Sequence, residues 1–320
     1  DEVSVMGAER RGAERRTARR TTQEEDDSLR QGKAFDIPKK LVWLSYKHVK
    51  ANKGSAGCDG QTIDDFDGDR DRNLYKIWNR LSSGSYYPPP VLKQEIPKAN
   101  GNVRVLGIPT VSDRIAQGAM KLFLEPKLEE LFHPDSYGYR PNRSAHDALE
   151  VTRQRCWRHN WVVEIDIKGF FDNVRHDLIL RALEHHQMPR WVMLYAKRWL
   201  EAPMVDRDGN VEARQLGTPQ GGVASPILAN LFLHYGFDCW MQREYPNLEF
   251  CRYADDALAH CDSQRHADEL IESLHVRMAE IGLELHPEKT RLIEFGRFAI
   301  DNRKARGEGH PDTFDFLGFT

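Results

Sequence analysis

From Phe35 onward the apolar residues fall at spacings that separate helices from strands. Leu41, Trp43, Leu44, Tyr46 and Val49 suggest a short helix. Asn52 to Gly60 is a turn-rich, Gly-containing connection, and it lacks the Gly-Lys-Ser/Thr ending of a nucleotide P-loop. Pro88-Pro89-Pro90 marks an extended segment, after which Val91 to Ile96 reads as a strand. Gly101-Asn102, between the strand-like runs 93–97 and 103–108, is a hairpin signal. Ser112 can cap a helix running through Ile115, Ala119, Leu122 and Phe123 to about Leu124, with Pro126 breaking or restarting it. Ser144 with Asp147 reads as a capping box opening a helix to about Arg158.

Farther along, Trp161 to Ile165 is a strong β run, and His176–His186 and Trp191–Leu200 read as helices. Pro226 to Trp240 is one long apolar helix with proline in its first turn. Phe250–Tyr253 and Ala257–His260 are short strands joined by Ala254-Asp255-Asp256. A helix from Ala267 is closed by Gly282, and short strands are expected near Leu283, Leu292 and Phe314. Helices mixed with antiparallel strands, without a repeat, predict an α+β fold.

The first 35 residues break this pattern. Arg10, Arg11, Arg15, Arg16, Arg19 and Arg20 precede the acidic run Glu24 to Asp27, with few apolar residues between. Such a segment buries too little surface to offset its ordering entropy, so a mobile tail or a marginal helix is expected, its arginines free to touch RNA.

Composition narrows the class. With 320 residues, 40% hydrophobic and 30% charged, the chain suits a large globular protein of about two lobes. No apolar run approaches a membrane span. Five cysteines without a Cys-x-x-Cys pair favour reduced thiols over disulfides or zinc. The adjacent His185 and His186 would point apart on a helix and read as surface residues. A net charge of −3 excludes a uniformly basic coat protein. It does not exclude nucleic acid, because the charge is uneven. Six acids against two arginines lie in 59–72, whereas 289–306 holds six basic residues against two acids. Arg140, Arg143, Arg153, Arg155 and Arg158 likewise outnumber Asp147 and Glu150.

Two carboxylate sites carry candidate chemistry. Asp166 ends the β run, followed by Ile167-Lys168-Gly169-Phe170-Phe171, and Asp255-Asp256 tip a hairpin. Adjacent carboxylates repel unless a cation lies between them, and a hard divalent ion with oxygen ligands resolves that. Three carboxylates from two strand ends can hold two such ions, which points to a polymerase or a nuclease.

With these acids in view, the chain resembles the reverse transcriptase domain of bacterial group II intron-encoded proteins, or maturases. The resemblance runs from about Asn52 to Thr320. It rests on the Asn52–Gly60 loop with Thr62 and Phe66, Ile96-Pro97-Lys98 with Val103 to Pro109, Asp113-Arg114, Ser136 to Pro141, and Asp166 to Phe171. Gly217-Thr218-Pro219-Gln220-Gly221-Gly222 through Pro226, Tyr253 to Asp256, Gly282-Leu283 with Pro287 to Thr290, and Phe316 to Phe319 complete it. The glutamine-containing turn and Tyr-Ala-Asp-Asp are the most specific of these motifs.

The resemblance implies a right-hand polymerase: fingers over 36–140 and 175–219, palm over 141–174 and 220–320. The family's thumb would lie beyond Thr320, so a fingers-and-palm portion is expected. Asp166, Asp255 and Asp256 would hold two Mg²⁺, with Mn²⁺ as an alternative. Asp166 and Asp255 would be the direct ligands of both ions, and Ile167 would lend its carbonyl. Lys98, Arg104 and Gln220 would receive the incoming dNTP, and Phe171 would block a ribose 2′-hydroxyl. Lys289 would act near the leaving pyrophosphate, and Arg140 and Arg143 on the template side. The implied partners are an RNA template (intron RNA), a DNA or RNA primer and dNTPs, with no membrane and homodimerisation left open. The implied setting is the bacterial cytoplasm, near the nucleoid. Two alternatives stand beside this reading: an RNA-binding splicing cofactor that needs no chemistry, and a CRISPR-associated reverse transcriptase of related lineage. Phe171 argues against an RNA-dependent RNA polymerase.

Overall fold

The computed structural model describes residues 33–97, 103–296, 298–310 and 313–319. The Arg-rich segment, Lys98 and the Gly101-Asn102 turn lie outside them, apart from the last residues before Phe35. The fold is α+β: two four-stranded sheets embedded in helices.

Helix α1 (Lys39–Asn52) buries Val42, Ser45, Tyr46 and Val49, an i, i+3, i+4, i+7 stripe. Two further helices, α2 (Ile63–Gly68) and α3 (Arg70–Ser83), occupy the acid-rich stretch. Thr62 and Asp65 form a full capping box at the start of α2. Strands β1 (Val91–Pro97) and β2 (Val103–Ile108) pair antiparallel, from Leu92 opposite Ile108 to Pro97 opposite Val103. Helix α4 (Val111–Glu129) follows. Its cap is Thr110, which accepts from the Asp113 N–H, rather than the expected Ser112. It also continues through Pro126, because Leu124 and Leu128 on either side are both fully buried and packing holds the last turn. Helices α1 and α4 lie close: Ser45 Oγ donates to the Ile115 carbonyl at 2.7 Å, and a Cβ on Gly118 would meet Ser45 Oγ at 2.1 Å.

Helix α5 (Ala145–Cys156) starts at the expected Ser144–Asp147 capping box. Strand β3 (Trp161–Asp166) leads into the short helix α6 (Phe170–Asn173), then α7 (His176–His185) and α8 (Arg190–Leu200). The short strands β4 (Met204–Val205) and β5 (Val211–Glu212) complete the first sheet, ordered β2-β1-β4-β5. The long apolar helix is divided into α9 (Ser225–Leu233), a π-helical turn at His234–Asp238, and α10 (Cys239–Glu244). The π turn lies where Asp238 meets the guanidinium of Arg252, with bonds of 2.7 and 2.6 Å. Beside the same turn, His186 is half-buried and hydrogen-bonded to the Tyr235 hydroxyl rather than free on the surface.

Strands β6 (Glu249–Tyr253), β7 (Asp256–Cys261) and β8 (Arg291–Glu294) join β3 in the second sheet, ordered β6-β7-β3-β8 and antiparallel throughout. Helix α11 (Gln264–Glu280) covers one face with Ala267, Leu270, Leu274 and Met278. On the other face Val162, Cys251 and Leu258 pack with Ala148 and Cys156 of α5. Near Leu283 there is only a bridge between Ile167 and Leu285, because Gly282 (φ +80°) turns the chain. Near Phe314 there is only a bridge between Phe316 and Phe319. A last helix, α12, spans Ala299–Ala305. Among the described residues no helix is long and apolar enough to cross a membrane.

Candidate active site

The second sheet brings the acids together. Asp166 is the last residue of β3, Asp256 the first of β7, and the two are register partners. Asp255 sits in the turn between Tyr253, the last residue of β6, and Asp256, and these two are register partners as well. The turn needs a left-handed residue, and Ala254 supplies it at φ +57°. Its neighbours hold it there. Arg252 Nη1 donates to the Ala254 carbonyl at 2.9 Å, and Gly138 passes so close that a Cβ would meet the Ala254 nitrogen at 2.4 Å. Asn230 Nδ2 fixes the Gly138 carbonyl at 2.7 Å, and Tyr137 N–H donates to the Arg252 carbonyl at 2.8 Å. The Ser136-Tyr137-Gly138-Tyr139 stretch is thus the backing of the carboxylate hairpin, and only glycine leaves room for it at 138.

A cleft of about 550 Å³ opens over these acids, with Arg104, Tyr139, Phe171, Gln220 and Lys289 also on its walls. Crowding by protein pushes the Asp255 carboxyl upward, and the Asp166 charge adds to it. The same crowding, then the charges of Asp255 and Asp166, push Asp256 up to about 6. Lys289 Nζ approaches Asp166 Oδ2 to 2.9 Å, and this bond raises the lysine further above its usual range. Asp255 and Asp256, both raised beside the charge of Asp166, are short of positive charge, and the oxygen donors of the three carboxylates suit a hard divalent cation. Among the described residues no three acidic, His or Cys side chains are already drawn into a closed ligand set. Asp166 is instead turned toward Lys289. Ile167 also lines the cleft. It faces Leu285 as a non-hydrogen-bonded pair, flanked by Lys168 N–H to Glu284 O and His286 N–H to Asp166 O, so its own carbonyl points away from that segment.

The opposite wall carries the expected nucleotide residues. Arg104 is exposed on β2, and its Nε donates to Gln220 Oε1 at 2.8 Å, 116 residues along the chain. Phe170 and Phe171 both border the cleft; Phe171 shows 8% of its surface, whereas Phe170, at 2%, also packs on Phe232. Lys98 lies outside the described residues.

Arg140 is turned inward. Its guanidinium, 3% exposed, is paired with Glu129 at 2.7 Å and donates to the carbonyls of His133 and Ser136 at 2.6 Å each. Those bonds engage Nε, both hydrogens of Nη1 and one of Nη2, so the expected template contact gives way to a structural one. Arg143 is half-buried, stacks on the Tyr137 ring at 5.2 Å and bonds to the Pro134 carbonyl.

Sequence reasoning overlooked two groups. Tyr139 stands half-exposed over the acids with φ +58°, and burial followed by the Asp255 charge raises its hydroxyl pKa. Its signal was its place in the Ser136–Pro141 stretch. The other group is the buried pair Asp113 and Gln117, whose signal was the place of Asp113 in the Asp113-Arg114 motif.

Comparison with protein families matches residues 96–320 to the one described as "Reverse transcriptase (RNA-dependent DNA polymerase)". The chain belongs to the reverse transcriptase family. The matched range contains every cleft residue named above. Among its relatives is the "Group II intron-encoded protein LtrA" of Lactococcus lactis subsp. cremoris, 36% identical over 197 residues, which cover 61% of this chain and 32% of that protein. "Protein YkfC" of Escherichia coli (strain K12) is 30% identical over 332 residues, covering 88% of this chain and 87% of that protein. The "Putative COX1/OXI3 intron 1 protein" of Saccharomyces cerevisiae is 30% identical over 208 residues, 65% of this chain and 25% of that protein. The chain therefore spans about a third of the length of the lactococcal relative.

Proposed function

We propose that this chain is the fingers and palm of an RNA-directed DNA polymerase of the group II intron type. One observation carries the reading: three carboxylates from the ends of two neighbouring strands meet in a cleft whose far wall presents Arg104, Gln220 and Phe171. A splicing cofactor that only bound RNA would have no use for that set. Relatives named intron proteins support an intron RNA as template, with a DNA or RNA primer.

Asp166, Asp255 and Asp256, with the Ile167 carbonyl, would hold two Mg²⁺. Bound there, the ions would supply an activated primer 3′-hydroxyl and charge relief at the leaving pyrophosphate. The chain's own groups do the rest. Arg104, with or without Lys98, neutralises triphosphate oxygens by charge-assisted hydrogen bonds. Gln220, held by Arg104, lines the base and sugar site. Phe171 presses on the sugar and rejects a 2′-hydroxyl. Lys289, released from Asp166, delivers positive charge and a proton to the departing pyrophosphate. Arg143 is the remaining template-side candidate.

A primed RNA template, dNTPs and Mg²⁺ test the reading. Extension by the chain that disappears in Asp255→Ala supports it. Tight intron RNA binding by a well-folded preparation that never extends a primer would replace it with the splicing-cofactor reading. That reading fits the Arabidopsis thaliana relative named "Nuclear intron maturase 2, mitochondrial", 30% identical over 93 residues.

A further inference from the structure

Below the nucleotide wall lies a carboxylate that the mechanism does not use. Asp113, on α4, is 1% exposed and accepts three hydrogen bonds. Tyr86 Oη and Trp199 Nε1 each donate to Oδ1 at 2.8 Å, and Gln117 Nε2 donates to Oδ2 at 2.8 Å. The indole can only donate, so Oδ1 is fixed as an acceptor. Gln117 is itself buried, at 3% exposure, and its other atom, Oε1, accepts the Ala224 N–H at 3.1 Å. A backbone N–H can only donate. The Gln117 amide therefore has one satisfied orientation, and the carboxylate enforces it: NH₂ toward Asp113, oxygen toward Ala224.

Ala224 ends the turn that carries Gln220. That turn is also held by side chains, with His176 Nε2 on Gly217 O at 2.7 Å and Thr218 Oγ1 donating to Ser225 Oγ at 2.8 Å, and by backbone bonds. Gly217 N–H donates to Val174 O at 2.8 Å, Thr218 N–H to Phe171 O at 2.7 Å, and Gly107 N–H to Gln220 O at 2.7 Å. It is packed without slack: a Cβ on Gly221 would meet Gly107 O at 2.5 Å, and one on Gly222 would meet Gln117 Oε1 at 3.3 Å. A shift at Ala224 is thus passed to Gln220 and, through Thr218, to the backbone of Phe171.

We propose that Asp113 is a positioning residue for the nucleotide wall, acting through the orientation of Gln117 on the 217–225 turn. The inference rests on the polymerase reading for its effect on dNTPs, and on the buried network alone for its effect on the turn.

Exchanging the two side-chain chemistries tests it. In Asp113→Asn the new amide NH₂ faces the Gln117 NH₂, and in Gln117→Glu two carboxylates face each other; each leaves Ala224 or its partner mismatched. The double variant Asp113→Asn/Gln117→Glu restores every bond. The introduced amide's oxygen accepts from Tyr86 and Trp199, and its NH₂ donates to the introduced carboxylate. The other oxygen of that carboxylate accepts the Ala224 N–H, and net charge is unchanged. Each single variant should raise KM for dNTP about tenfold with a smaller fall in kcat, the pattern of lost substrate positioning, and the double should recover to within about threefold. Amide exchange across 217–225 should rise in the singles and return in the double. Should a single variant fail to fold, Gln117→Met keeps the volume, leaves Ala224 unpaired and should give the same local exchange.

Unchanged exchange in the folded singles, or a double no better than the worse single, overturns the proposal. Altered exchange with unchanged KM for dNTP overturns its nucleotide half. A wild-type chain that extends no primer sinks the polymerase reading instead, and the exchange measurement, which needs no turnover, still decides the positioning.

Discussion

Lys289 Nζ lies 2.9 Å from Asp166 Oδ2, so the chain's own ammonium is the counter-ion of one of the clustered carboxylates Asp166, Asp255 and Asp256. The lysine side chain is 58% exposed, and a pair so open to water contributes less than about 1 kcal/mol to stability. Its larger consequence is competition: a cation entering the site must take Asp166 from Lys289. Lys289→Met should therefore cost little stability without Mg²⁺, yet show a larger Tm gain than the wild type when Mg²⁺ is added. On the proposed polymerase reading, in which Lys289 is the proton donor to the leaving pyrophosphate, its kcat for primer extension should fall at least about tenfold. Melting curves with and without Mg²⁺ check the first point; an identical Mg²⁺ response in variant and wild type would refute the competition.

Phe170 and Phe171 touch edge to face at 5.2 Å and both border the cleft, Phe171 the more exposed at 8% against 2%. Phe171→Ala should relax sugar selectivity, raising kcat/KM for ribonucleotides relative to deoxyribonucleotides by about tenfold or more. It should also cost roughly 3 kcal/mol, because most of the ring is buried. The same change at Phe170 should be at least as destabilising and leave the sugar ratio unmoved. Paired dNTP and rNTP kinetics on one primed template separate the two positions.

Much of this architecture was legible because local chemistry and global fold agree. The Ser144–Asp147 capping box, the Trp161–Ile165 run and the hairpin around Asp255 all formed where their residues place them. What escaped has physical causes. The helices over Ile63–Gly68 and Arg70–Ser83 were hidden under an excess of charge, although Thr62 and Asp65 carried a capping signal. The hairpin of Met204–Val205 and Val211–Glu212 is too short for periodicity, leaving Asp208-Gly209 as its only sign. Within the site, the acids and the glutamine turn were visible as motifs, whereas the role of an arginine depends on where its guanidinium ends. Arg140 and Arg104 look alike in the sequence, yet one is spent on Glu129 and the other faces the cleft. The Asp113–Gln117–Ala224 relay joins positions 107 residues apart, and no spacing rule reaches that far.

Asp256 carries a pH signature. Its folded-state pKa of about 6 stands above the ordinary carboxylate value near 3.9, so between those values the folded chain binds more protons than the unfolded one. Stability from this group is therefore present below about pH 4 and is lost as pH rises through about 6. Without divalent metal, Asp256→Asn should be more stable than the wild type at pH 8, with the advantage vanishing toward pH 4. Because the side chain opens to the cleft, the gain should stay under about 1 kcal/mol. Urea titrations at both pH values in chelator provide the check; a variant that is less stable at pH 8 contradicts the assignment. Saturating Mg²⁺ should reverse the order, because the wild-type carboxylate then gains a partner that the amide cannot match.

The hairpin that presents Asp255 depends on a fully buried ion pair. Arg252 and Asp238 are 1% and 0% exposed, and the guanidinium is shared among Asp238, Asn230 Oδ1 at 3.2 Å and the Ala254 carbonyl at 2.9 Å. Asp238→Asn removes the counter-charge and leaves the arginine stranded, which should cost about 3–5 kcal/mol. Asp238→Leu together with Arg252→Met removes both charges and should cost much less, since replacing a buried pair by apolar residues is often near neutral. Activity should separate from stability here. The double variant lacks the donor to Ala254, whose left-handed turn is unfavourable for a residue with a Cβ, so Asp255 should be less firmly held and primer extension should fall even though the fold survives. Denaturant melts and extension rates on the same preparations test both statements. Wild-type extension by the double variant would mean that the Ala254 turn is held by Gly138 and Asn230 alone.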